Sequence, residues 1–199
     1  MDIEAITQGV LKRIFIELEA SGRHVHVTKE QAMALFGHPL TPSRPLSQPG
    51  QYLAKERVTV VGPKGEFANV AVLGPERKAG QVELSMTDGR ALGITAPVRQ
   101  SGDIAATPGA ILRGEMGEVT LSQGVIIAKR HIHMTPRDAE KMGVRDKQIV
   151  KLQTYTDRPL IFDDVVVRVS PDFETFVHLD YDEANACGFQ KGDLGRIVQ

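Results

Sequence analysis

Apolar and polar residues alternate along this chain in short runs with a period of two, the spacing of half-buried β-strands. Phe15 to Ala20 is one such run, and Val125-Ile126-Ile127 is a fully apolar one. Further strands are predicted at Arg57 to Val61, Glu66 to Leu73, Gln81 to Ser85, Leu92 to Ile94, Gln148 to Thr154, Asp164 to Val169 and Thr175 to Leu179. Gly-containing turns separate them. Helical spacing is confined to short pieces. Ile3, Ile6 and Val10 predict an amphipathic helix within residues 1–12, with Asp2 and Glu4 in its first turn and Lys12 and Arg13 at its end, matching the helix dipole. Thr28 and Gln31 form a capping-box pattern that opens a helix through Leu35, Thr135-Pro136 opens a second, and Asp182 to Cys187 forms a third that stops at Gly188. His38 to Gly50 is rich in Pro and Ser and predicts a surface loop. Many short strands, frequent turns and little helix predict a mainly β protein built as small barrels.

The pattern occurs twice. Arg23-His24-Val25-His26-Val27-Thr28 and Arg130-His131-Ile132-His133-Met134-Thr135 match at a separation of 107 residues, and Ala32 and Ala139 follow at the same offset. Farther on, Val82-Glu83-Leu84 matches Val177-His178-Leu179 at a separation of 95, so the second unit is shorter by about a dozen residues. Such a shift marks a duplication with a trimmed loop. The fold class expected is therefore mainly β, two similar small β-barrels from an internal duplication, with short capping α-helices.

On a strand, residues i and i+2 face the same way, which sets the two imidazoles of each pair about 6.6 Å apart at their Cα atoms. From there both can reach one metal ion at about 2.1 Å. The duplication adds a third residue to each pair, giving His24, His26 and Glu83 in one unit and His131, His133 and His178 in the other. Of six histidines only His38 falls outside this pattern. Three protein ligands with no evident fourth is the arrangement of a catalytic zinc, which keeps one position open, whereas structural zinc is closed by four ligands that usually include Cys. About two zinc ions per chain are expected.

Composition narrows the partners. A net charge of −1 with 25% charged residues carries no basic excess for nucleic acid, though a small anion remains a candidate ligand. The single Cys187 rules out an internal disulfide framework and fits a reducing compartment. No apolar run approaches the roughly 20 residues of a membrane-spanning helix, and no signal-peptide core is evident, so a soluble cytoplasmic protein is expected. For that small anion the candidate is Arg77, in the turn Gly74 to Gly80 ahead of Glu83, since a guanidinium can grip phosphate with two parallel hydrogen bonds. Arg23 and Arg130 alternate to the opposite strand face from the histidines and are expected to make structural hydrogen bonds. One rival reading is a cupin-like metal oxygenase, because His24-x-His26-x-x-x-Glu30 followed by Gly37 fits part of that motif; Arg137 breaks it in the second copy. Another is a non-catalytic metal-binding barrel.

The two Arg-His-x-His motifs, Gly74-Pro75-Glu76-Arg77 leading to Gln81-Val82-Glu83-Leu84-Ser85, and Ser101-Gly102-Asp103 before Pro108-Gly109 closely resemble the PduL-type phosphate propanoyltransferases from about Phe15 onward. The resemblance implies a zinc-dependent phosphotransacylase that interconverts acyl-CoA plus phosphate with acyl-phosphate plus CoA. It implies metal binding by His24, His26, Glu83, His131, His133 and His178, and phosphate binding by Arg77. It places coenzyme A along Leu73, Ser101, Val125 and Ala128. It also implies two similar small closed β-barrels that are not contiguous in sequence, the first over 23–128 and the second formed by 129–199 completed by a crossing strand within 13–22. Gly22, Gly80 and Ala106-Thr107 depart from the family's usual residues, none at a ligand position. A homo-oligomer, a dimer, is expected. Many relatives carry a short amphipathic extension that directs them into bacterial microcompartments, and the helix within 1–12 is the candidate for that role or for docking on its own barrel.

Overall fold

In the computed structural model, residues 14–198 are described; the helix expected within 1–12 lies outside them. The architecture is mainly β, with short helices, and the chain divides into two compact units. One holds residues 22–128. The other holds 129–198 together with the strand β1 (Ile16–Ser21).

The unit of 22–128 runs through β2 (His24–His26), α1 (Lys29–Phe36), β3 (Pro42–Pro45), β4 (Tyr52–Val61), β5 (Glu66–Gly74), β6 (Gln81–Leu84), α2 (Met86–Leu92), β7 (Val98–Arg99), β8 (Ala110–Arg113), β9 (Glu118–Leu121) and β10 (Val125–Ala128). Its strands order β7-β10-β6-β2-β5-β4-β8-β9, with β3 on the edge of β4. The other unit continues with β11 (His131–Met134), α3 (Pro136–Met142), β12 (Ile149–Tyr155), β13 (Ile161–Val169), β14 (Phe176–Asp180), α4 (Tyr181–Cys187) and β15 (Leu194–Val198). Its sheet closes as β1-β14-β11-β13-β12-β15.

The duplication is visible strand by strand. β10, β6, β2, β5, β4 and β8 follow one another in the first sheet as β1, β14, β11, β13, β12 and β15 do in the barrel. Closure is where the units differ. In the barrel β15 uses its second edge to pair with β1, Ile16 opposite Gly195. In the first unit the corresponding edge of β8 is taken by β9, and that of β10 by β7. A strand has only two edges, so the extra strands leave a curled sheet in place of the second closed barrel.

Local chemistry explains the helices. Thr28 caps α1 and Gln31 bonds back to it, while Gly37 closes the helix in the left-handed conformation. α2 is a correction: Leu92 to Ile94 was expected as a strand, but Ser85 and Asp88 form a capping box and Leu92 ends a helix stopped by Gly93. Ser85 and Asp180 are the matching caps of α2 and α4, and Gly93 and Gly188 their matching stops, all at the 95-residue separation. The Pro- and Ser-rich loop carries one short strand, β3, which is exposed throughout. Each unit buries its own core. Val25, Val72 and Val82 lie in one and Ile132, Val167 and Val177 in the other, all fully buried.

Candidate metal centres and their surroundings

Strand alternation sends Val25 into the core and turns His24 and His26 to the other face of β2, and it does the same with Val82 and Leu84 against Gln81 and Glu83 on β6. The antiparallel register then sets His24 opposite Glu83 and His26 opposite Gln81. In the barrel the same register sets His131 opposite His178. Two predicted trios come together as a result: in each, one nitrogen or oxygen from every residue lies within 4.8 Å of the others.

The donors are oriented for a metal. His24 Nδ1 is hydrogen-bonded to the Gly22 carbonyl at 2.8 Å and His26 Nδ1 to the Leu73 carbonyl at 3.2 Å. Their Nε2 atoms stand 3.6 and 3.7 Å from Glu83 Oε1. Two ligands each about 2.1 Å from a tetrahedral ion are about 3.4 Å apart, so the trio fits zinc. In the barrel, His131 Nδ1 is bonded to the Lys129 carbonyl at 2.8 Å, and His133 Nδ1 and His178 Nε2 are 3.1 Å apart. Glu19 on β1 sets its carboxylate 3.4 Å from His178 Nδ1, the outer contact that orients a ligating imidazole.

The electrostatics of the first trio are those of a buried ion pair. Burial pushes His26 down to about 4, only partly countered by its hydrogen bond to Glu83, so that imidazole stays neutral. Burial also opposes a proton on His24, but the charge and hydrogen bond of Glu83 outweigh it and raise its pKa. Burial of Glu83 would raise its own, yet the two histidines hold it well below the usual carboxylate range. Glu83 is thus an anion ready to ligate.

Around Glu83 lies a polar network that the sequence did not reveal. Glu83 Oε1 accepts from Gln81 Nε2 at 2.6 Å and from Ser101 Oγ at 2.7 Å. Arg77 donates through Nη1 to the same Ser101 hydroxyl at 2.9 Å. Arg77 also lines, with Thr28, Lys29, Glu30, Glu76 and Lys78, a surface pocket of about 590 Å³. Of the four residues expected along coenzyme A, Leu73 touches His26 through its carbonyl and Ser101 touches Glu83 through its hydroxyl. Val125 is fully buried in the core beside Val82, and Ala128 ends β10 opposite Arg99. Glu30, which the cupin-like reading needed as a ligand, is exposed on the first turn of α1, and Glu83 completes the trio in its place.

The chain resembles known proteins over nearly its whole length. The profile of the phosphate propanoyltransferase family matches residues 17–190. The phosphate propanoyltransferase of Listeria monocytogenes is 60% identical over 199 residues, covering 99% of this chain and 93% of its own. That of Clostridioides difficile is 54% identical over 199 residues, covering 99% and 95%, and that of Thermotoga maritima 52% identical over 200, covering 99% and 95%. By this extent of similarity the chain belongs to the phosphate propanoyltransferase family of acyltransferases.

Proposed function

We propose that the chain is a zinc-dependent phosphate acyltransferase that interconverts acyl-CoA, propanoyl-CoA or a similar short acyl-CoA, plus phosphate with acyl-phosphate plus CoA. The observation that carries this reading is the line from Glu83 through the Ser101 hydroxyl to Arg77, which joins a metal-binding carboxylate to an anion-binding guanidinium. His24, His26 and Glu83 hold one zinc, and His131, His133 and His178 a second. Bound zinc supplies a Lewis acid that polarises the thioester carbonyl and favours departure of the thiolate.

The residues of the chain do the rest. Arg77 grips phosphate and orients one oxygen toward the acyl carbon, offsetting charge as it develops. A carbon–oxygen bond forms, the carbon–sulfur bond breaks, and the electron pair leaves with sulfur, so no oxidant or covalent acyl-enzyme is required. Leu73, Ser101 and Ala128 mark the path of coenzyme A, and Val125, fully buried, supports it from the core. The working form is a cytoplasmic homodimer, with the N-terminal segment as the candidate contact to microcompartment proteins. No helix among the described residues is long and apolar enough to cross a membrane.

The test is to incubate propanoyl-CoA or acetyl-CoA with phosphate and follow free thiol and acyl-phosphate together. Both should appear in equal amounts, stop on chelation and return with zinc. Thiol release without acyl-phosphate would mean simple hydrolysis and would end the proposal.

A further inference from the structure

Gln81 is 2% exposed and carries no charge, yet it spends every hydrogen-bonding atom of its side chain at the first metal centre. Its Oε1 accepts from the backbone N–H of Gly102 at 2.8 Å. A backbone amide can only donate, so the amide orientation is fixed and Nε2 must face the other way. There it donates to Glu83 Oε1 at 2.6 Å and to Ser101 Oγ at 3.0 Å. The Ser101 hydroxyl is used up in turn: its one proton goes to Glu83 at 2.7 Å, and it accepts from Arg77 and Gln81.

The duplication supplies a control that the fold itself has run. At the separation of 95 residues Gln81 corresponds to Phe176, which sits opposite His133 as Gln81 sits opposite His26. The strand and its register therefore do not need an amide here. In the unit of 129–198 Phe176 stands at that register position, and its side chain has no donor or acceptor that could tie a hydroxyl or guanidinium to the third residue of the trio. A buried polar side chain where the sibling unit has an apolar one, with each donor and acceptor directed at a ligand, a hydroxyl and a loop, points to a task at the site.

We infer that Gln81 is the positioning residue that locks the Glu83 carboxylate and clamps the Ser101-Gly102 turn, so that the carboxylate and Arg77 keep a fixed relation. This rests on the proposed roles of Glu83 and Arg77. It adds that the metal site and the anion site are joined through one amide, which touches neither the phosphate nor the acyl group.

The test replaces Gln81 by Met, which keeps length and apolar volume, and by Glu, which keeps length and acceptors but has no N–H and sets a like charge against Glu83. Zinc is titrated away from the loaded protein with a chromophoric chelator, and phosphate kinetics are measured separately. Gln81→Met should lose one of two zinc ions at about ten- to a hundredfold lower chelator concentration, with phosphate kcat/KM down by at least about tenfold. Gln81→Glu should lose at least as much. Leu112→Ala, a core change in the same unit, controls for lost stability: it should lower the melting temperature and leave zinc release and phosphate KM as in the wild type. Wild-type zinc release and phosphate KM in either Gln81 variant would overturn the inference, and so would equal losses in Leu112→Ala. If the wild type transfers no acyl group to phosphate, the functional reading fails, while zinc release still decides whether Gln81 positions Glu83.

Discussion

Arg23 donates through Nη2 to Asp88 at 2.7 Å, and one repeat later Arg130 donates through Nη1 to Glu183 at 2.6 Å. Each guanidinium also lies over a ring, Phe67 at 4.1 Å and Phe162 at 5.9 Å. Asp88 and Glu183, like Phe67 and Phe162, are separated by 95 residues, as are Glu83 and His178. Each acid is the third residue of the helix that follows the third ligand, and its carboxylate closes that helix's capping box. The Arg ahead of each histidine pair therefore ties the strand carrying two of the candidate ligands to the helix behind the strand carrying the third.

From this clamp, Arg23→Met is expected to destabilise the protein by about 1–3 kcal/mol, the usual cost of depriving a buried acceptor of its donor, since Asp88 stays buried with only its capping-box bond to the Ser85 N–H. Denaturant unfolding measures it. Zinc content at saturating metal should not change. A variant of wild-type stability would mean that water reaches Asp88 and takes the place of the guanidinium.

Much of this site could be read in the sequence because its parts repeat. The histidine pairs stand out by strand alternation, and Glu83 emerges only because His178 occupies the matching place 95 residues on. Gln81 sits inside the same motif, but its task depends on Ser101 and Gly102, 20 and 21 residues away beyond the helix α2 and the short strand β7, a separation that no local period marks. The helix α2 was hidden because its capping box uses Asp88 where Glu or Gln is the usual signal. The hairpin of β8 and β9 turns at Gly114 to Gly117 within a stretch dominated by turn residues, and that hairpin, with β7 on the opposite edge, occupies the edges through which the first sheet would close. Edge occupancy is a long-range property, and no local pattern carries it.

Asp138 gives a pH prediction. Burial would raise its pKa, but Lys141 at 3.0 Å, Thr175 at 2.8 Å and the Thr135 hydroxyl together lower it. A carboxyl depressed in the folded state stabilises the fold above its unfolded value, near 3.8, and that contribution fades as pH falls through the folded value. Asp138→Asn should therefore melt below the wild type at pH 7, with the gap narrowing at pH 3 and below. Melting curves across that range decide it; a gap that does not change with pH would place the effect in packing.

Metal removal should separate the two centres from the cores. Gently purified protein is expected to carry about two zinc ions per chain, since open His-rich sites favour zinc. His131→Ala should lose one ion and nearly all activity while keeping most of its stability, because the apolar cluster around Ile132 and Val177 is untouched. Elemental analysis beside a thermal melt measures both. Full activity in protein without any transition metal would end the zinc scheme.

Residues 1–12 are expected to be separable from catalysis. The strand that completes the barrel begins only at Ile16, and both ligand trios lie beyond it. Deleting 1–12 should leave acyl transfer intact and reduce co-purification with microcompartment shell proteins. Lost activity with unchanged partners would instead assign the segment to its own barrel.

Arg77 is where a solvated turn residue and an anion grip differ most in consequence. Its Nη1 donates to the Ser101 hydroxyl, which in turn donates to Glu83, so the guanidinium is held at the edge of the metal trio and not left to wander in the turn. If it grips phosphate, Arg77→Ala should raise the phosphate KM and lower kcat, because one contact both orients the nucleophile and offsets charge developing in the transition state. The loss should be about 3 kcal/mol, a hundredfold or so in kcat/KM for phosphate. Arg77→Lys should recover only part of it, since an ammonium keeps the charge and loses the planar fork. Zinc content should hold in both variants, as Arg77 is no ligand, which separates this loss from that of His131→Ala. Near-normal phosphate kinetics in the alanine variant would pass the role to another cation, with Lys78 and Lys29 in the same pocket the first to examine.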